Sequence, residues 1–179
     1  MAQSTFDGPI RSLGGIFQQG AGSVITITAS ATLNPTDHGG RILAVGGSLA
    51  ANVVLTLPTI NTTASSASAG PGYDPNTPNN LGVTYTIWVP TTISTSSLKI
   101  GTDGTDKYVG YVLSIDSDTT DATRGFGAAA TNDFINFNGS TTGGIAGTWV
   151  QIVALAALKY MVTGVAVGSG TVATPFADS

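Results

Sequence analysis

Cysteine is absent from the 179 residues, so the chain has no disulfide and no thiolate site, and its redox compartment cannot be read. Glutamate is absent too: all 10 acidic residues are Asp. Charged residues make up only 9%, against about a quarter in ordinary domains. The long charged side chains that decorate surface helices are therefore scarce. Lys and Arg total six, with no basic run and no basic–aromatic patch, so no nucleic-acid partner is expected. One histidine, His38, without any cysteine excludes a zinc site. The longest apolar stretch, "WVQIVALAALKYMV" (149–162), is interrupted by Gln151 and Lys159, so no membrane span is expected. The opening "MAQSTFDGPI" lacks the basic start and apolar run of a secretory leader, which points to a protein made in the cytoplasm and not secreted. The net charge is only −4 and hydrophobic residues make up 41%, which is not the composition of a disordered chain.

Thr, Gly, Ala, Ser and Val fill the space instead, a composition of strands and turns. "SVITITASATL" (23–33) alternates apolar residues with Thr, the pattern of a half-buried strand. "GRILAVGG" and "ANVVLTLP" follow as short strands. "GVTYTIWV" (82–89) alternates cleanly. Its Val83, Tyr85, Ile87 and Val89 share a face, as do Val53, Leu55 and Leu57 in the strand before it. These seven residues are expected to face inward. "SLKI", "KYVGYVLSI", "DFINFNG", "TWVQIVALA" and "LKYMVTGVAV" read as further strands. Ala is dense over 153–160, but flanking β-branched residues favour strand there, with a turn near Ala156 and Ala157. About eight to ten strands at roughly 8–12-residue spacing predict an all-β fold, an antiparallel β-sandwich or jelly-roll-like barrel. The expected organisation is an extended N-terminal arm over 1–22, a β domain over 23–170 and a C-terminal tail over 171–179. The longest irregular stretch is a loop over 58–80, and loops of that length are usually functional or mobile.

Few motifs carry chemistry. His38 sits in the turn "TDHGG", where a capping or solvated role is expected. Asp116, Asp118 and Asp121 in "DSDTTD" could wrap a cation, but the spacing lacks the Gly and Glu of an EF-hand, and a polar turn between strands is the expected reading. Asp103 and Asp106 in "GTDGTDK" suggest a hairpin tip. "GSTTGG" and "VGSG" precede neither a Lys-Ser/Thr pair nor a helix, so they are not phosphate loops. Trp88, Trp149, Tyr73 and Tyr85 could form a sugar platform. The strand setting of Trp88 and Trp149 favours a core or subunit interface. No active site is read, and no enzyme activity, cofactor or metal ion is expected.

What those readings leave unexplained is the arm. "STFDGPIRSLGGI" (4–16) holds large apolar residues with neither a helical nor a strand period. This stretch, "VLTLP" followed by a loop and "GVTYTIWV", and the closing "NGSTTGGIAGTWVQIVAL" with "YMVTGVAVGSGTVATPFA" resemble small virion structural proteins of tailed bacteriophages, of marine and cyanobacterial type. Head decoration (cement) proteins fit best. The resemblance implies a homotrimer on the outer surface of the head, clamping neighbouring copies of the major capsid protein. It also implies an arm docking by strand addition or in a groove, with Phe6, Pro9, Ile10, Ile16 and Phe17 as anchors and Arg11 pairing with a capsid carboxylate. Tyr73, Pro175 and Phe176 are secondary interface candidates. Self-association also follows from the residues, since few charges are available to cover the surface or protect strand edges. The competing expectation is a head-fibre or tail module that recognises host surface glycans through the 58–80 loop and Tyr73.

Overall fold

Alternating β-branched and aromatic residues form strands here, and the strands form two sheets. The computed structural model describes residues 20–62, 79–119 and 121–178. Strand makes up 45% and helix 4%, which places the protein in the all-β class, as a sandwich.

The chain enters the first sheet as β1 (Val24–Thr26) and crosses to the second as β2 (Ala31–Thr32). A single helical turn, α1 (Pro35–His38), leads back to the first sheet as β3 (Ile42–Ala44). The path crosses again to β4 (Val53–Thr56), returns as β5 (Thr84–Trp88) and crosses once more to β6 (Leu98–Gly101). As a result β1, β3 and β5 are parallel neighbours, and so are β2, β4 and β6. A parallel pair needs a crossover connection. Here each crossover is a strand of the opposite sheet, so the first half of the chain winds like a coil.

The second half fills out both sheets. β7 (Lys107–Asp116) and β8 (Arg124–Gly127) form the far edge of the first sheet, and β9 (Phe134–Phe137) joins the second beside β6. The hairpin of β10 (Trp149–Ala156) and β11 (Lys159–Gly168) inserts between β5 and β7, and β12 (Phe176–Ala177) completes the second sheet. The orders are β1-β3-β5-β10-β11-β7-β8 and β12-β9-β6-β4-β2. Pairing is thus mixed rather than antiparallel throughout. The Ala-rich stretch is strand, as its β-branched flanks predict, and Leu158 turns the hairpin with φ +62°.

The inner faces meet in one core. Val53, Leu55, Leu57, Tyr85, Ile87 and Val89 are buried as expected, and Val83 is half-buried against them. The tail expected over 171–179 is corrected. Pro175 and Phe176 are both buried, Phe176 pairs with Ile135, and its ring lies 6.5 Å from that of Tyr108. The Asn136 N–H donates to the Pro175 carbonyl at 2.8 Å. Two residues are too few to show a strand period, so this strand is legible only from its partner.

Two strands approach closely where a side chain is missing. Gly110 of β7 lies opposite Val162 of β11 with φ +115°, and a Cβ there would sit 2.2 Å from the Val162 carbonyl oxygen. Gly110→Ala is expected to lower unfolding free energy by about 1–3 kcal/mol. Gly125→Ala, where a Cβ meets nothing within 4 Å, should stay within about 0.5 kcal/mol of the wild type. Urea unfolding of the two variants checks both values.

Candidate functional site

The two described ends of the expected 58–80 loop, 58–62 and 79–80, are clamped; 63–78 lie outside the described residues. Pro58 ends the β4 run, and the Tyr160 hydroxyl of β11 donates to its carbonyl at 2.6 Å. The Thr59 hydroxyl donates to Asp103 Oδ2 at 2.8 Å, and the Ile60 N–H to Asp106 Oδ2 at 2.9 Å. The returning foot is held by Asn80, which is only 3% exposed. Its Nδ2 donates to the Thr59 carbonyl at 2.9 Å, and its Oδ1 accepts from the Asn61 N–H at 2.8 Å. Both feet are therefore fixed by half-buried hydrogen bonds, with the exposed Thr59–Asp103 bond beside them; half-buried bonds contribute more than exposed ones because the alternative is an unpaired group.

Asp103 and Asp106 do not form a hairpin tip. They sit in the turn from β6 to β7, strands of different sheets. Their environments push their carboxyls apart. Burial draws Asp103 upward, but hydrogen bonds from the Asp106 N–H, the Thr59 hydroxyl and the Thr105 N–H outweigh it and hold it below the usual range. Burial pushes Asp106 up, and the neighbouring Asp103 charge adds to this against a single bond from the Ile60 N–H. Its Oδ1 has no hydrogen-bond partner among the described residues, and neither does the Tyr85 hydroxyl, which burial raises to about 12. Tyr160 is also raised, by burial first and then by Tyr85, Asp106 and Asp103. Phenols raised in this way stay protonated, and Tyr160 uses its proton to donate to the Pro58 carbonyl. The cluster is a clamp, with no activated nucleophile in it.

The acidic turn has a similar role. Asp116 Oδ2 accepts from the Asp121 N–H at 2.7 Å, and Asp118 Oδ2 from the Gly170 N–H at 2.9 Å. Asp121 Oδ2 accepts from the Val172 N–H at 3.1 Å, and its Oδ1 from the Ala122 N–H at 2.8 Å and Arg124 Nη2 at 2.9 Å. The Ala122 bond, then Arg124, holds Asp121 below the usual carboxylate range. These carboxylates tie the β7–β8 turn to the segment after β11. Among the described residues no group of three or more acidic or histidine side chains is placed to hold a metal. His38 caps α1, its Nδ1 accepting from the Asn34 N–H at 3.1 Å.

The aromatic platform is divided by the pleat. Trp88 and Trp149 are directly paired on the outer face of the first sheet, 40% and 41% exposed. Tyr85 points the opposite way into the core and is fully buried. Pro175 and Phe176 are core residues, so neither is a free docking side chain. Phe6, Pro9, Ile10, Arg11, Ile16, Phe17 and Tyr73 lie outside the described residues. A shallow cavity of about 240 Å³ on the second sheet is lined by Lys99, Phe134, Asn136, Ala177 and Asp178. Sequence reasoning gave Asp106 and Asn80 no role at the loop base. Asp106 sits in a polar turn motif, and nothing local marks it as buried.

No protein family, curated protein or solved structure matches this chain.

Asp106 generates a pH prediction. Its folded-state carboxyl is raised, so its contribution to stability is complete below the unfolded value of 3.8 and is lost as pH rises through the folded value. Asp106→Asn cannot ionise. Relative to the wild type it should therefore gain stability between about pH 4 and about pH 7. Urea unfolding at both values checks this; a pH-independent difference contradicts it.

Proposed function

We propose that the chain is a bacteriophage virion structural protein, a decoration (cement) protein that binds the outside of the head and clamps neighbouring major capsid subunits as a homotrimer. One observation carries this reading. A charge-poor, turn-rich β domain follows an amino-terminal segment whose large apolar residues, Phe6, Ile10, Ile16 and Phe17, obey no period of their own. Residues of that kind would gain burial against another chain. Strand addition or groove docking gives affinity through the backbone and register through the spaced side chains. Many copies on one lattice offset the entropy of ordering each arm. The role is structural, and no catalytic step is assigned.

A second reading is favoured by the clamped base of the 58–80 loop. A loop held at both feet by Asn80, Asp103, Asp106 and Tyr160 suits display from a head fibre or tail part, with Tyr73 toward host glycans. Copy number per virion separates the two: hundreds support decoration, a few to tens support a fibre or tail part.

Deleting residues 1–22 should abolish binding to undecorated capsids while leaving the β domain folded. Phe6→Ala and Ile10→Ala should each weaken binding more than Arg11→Ala. Burying a large apolar side chain contributes roughly 1.5–3 kcal/mol, whereas an exposed ion pair gives at most about 1 kcal/mol. Capsid occupancy, measured after mixing each variant with shells, checks the order. Equal occupancy of truncated and full-length protein moves the binding surface to the β domain.

A further inference from the structure

The first sheet has an outer face unlike any other surface of the described residues. Ten large hydrophobic residues are exposed, and seven of them lie on this face. One row runs in register across five strands: Ala44, Trp88, Trp149, Val165 and Leu113. The next row runs Val24, Ile42, Thr86, Gln151, Thr163 and Tyr111, apolar at its two ends, with Tyr111 72% exposed, and polar but uncharged in its middle. Ile115 extends the patch beyond Leu113 on the same strand. The second sheet shows none of this. It carries no exposed large hydrophobic residue, and the exposed Lys99 sits within β6.

Charge has been kept off the face. In the seven strands of the first sheet the only charged residues are Lys107, Asp116, Arg124 and Lys159, and each is the first or last residue of its strand. A solvated sheet face ordinarily alternates to polar and charged side chains. A contiguous apolar patch of several hundred Å² marks an interaction surface.

Size and chemistry indicate what covers it. Six strands of three to ten residues make up the face, with the tryptophan row as its apolar centre and uncharged polar residues such as Thr86, Gln151 and Thr163 beside it. At about 3.3 Å per residue and about 4.8 Å between strands they make a planar face of roughly 600 Å². Projecting side chains bring its accessible area toward the ~800 Å² per partner of a stable interface. The face offers no charge pattern for a different partner to read, so electrostatic complementarity cannot select one. For a copy of the same chain this is an advantage. Two chains of net charge −4 repel through most of their surface, and this face is where they approach without opposing charges. An apolar face is also complementary to itself under symmetry, and sheets stack readily at about 10 Å.

We propose that this face is covered by a second copy of the chain, with the Trp88–Trp149 pair at the centre of the contact. The proposal does not rest on the shell-binding role, because it concerns the isolated protein. Paired tryptophans in the middle of a dry interface are the residue type that dominates binding energy.

Sedimentation velocity of the full chain tests it. The isolated wild type is expected to sediment as two copies, the closed arrangement that one self-complementary face allows. Trp88→Lys and Trp149→Lys should weaken self-association about tenfold or more, with an unchanged far-ultraviolet circular dichroism spectrum. Lys99→Glu, on the outer face of the other sheet, should leave assembly as in the wild type. If a lysine variant fails to fold, Trp149→Thr removes the apolar area while keeping a strand-favouring residue, and it should dissociate in the same way. A wild type that remains a single copy at about 100 μM, far above the micromolar range of modest interfaces, overturns the proposal. So do folded tryptophan variants that assemble as the wild type does.

Discussion

Two phenol groups cross the sandwich, and much of the molecule is arranged around them. Tyr108 and Tyr160 sit side by side on β7 and β11 with their side chains fully buried. Each hydroxyl reaches from the first sheet to the second sheet's side: Tyr108 to the Ile100 carbonyl at 3.0 Å, Tyr160 to the Pro58 carbonyl at 2.6 Å. A buried tyrosine hydroxyl that finds an acceptor avoids the desolvation cost of an unpaired group. These two bonds therefore specify how the sheets sit over each other, and one of them also anchors the long loop. Aliphatic side chains from both inner faces fill the space around them, including Leu43, Leu55, Ile87, Leu98 and Ile135.

The same pleat that buries one side of each strand exposes the other, and the two sheets use that exposed side differently. The second presents Lys99 and a small cavity; the first presents paired tryptophans and aliphatic residues. Charge is displaced to strand ends and turns. There the short carboxylate of Asp accepts backbone N–H bonds, as Asp103, Asp116 and Asp121 do. Glu, with one more methylene, forms such local bonds less readily, whereas Asp is a preferred turn residue. A chain that uses its acidic residues to tie turns has a physical reason to use Asp throughout.

The proposed decoration role and the proposed self-associating face are compatible because they would use different parts of the chain. The apolar arm residues precede β1, while the tryptophan pair lies on β5 and β10 in the middle of the first sheet. The loop base is a third region, built from the β6–β7 turn and β11. Each part can be altered without removing the core residues that hold the sandwich together.

The class of fold, most strand positions and the inward-facing residues of β4 and β5 were determined by the sequence alone, because a strand's faces follow from a period of two that any few residues display. The turn at the end of β10 and the capping place of His38 were legible for the same reason: their causes lie within a few residues. Strand order was not. Parallel neighbours such as β3 and β5 are separated by a strand of the other sheet, and no local pattern records that crossing. The burial of Pro175 and Phe176, the orphaned oxygen of Asp106 and the pairing of Trp88 with Trp149 likewise depend on partners up to 68 residues away. Side-chain direction is a property of the local backbone. What a side chain meets when it points there is decided by the packing of distant segments, which only the tertiary structure brings together.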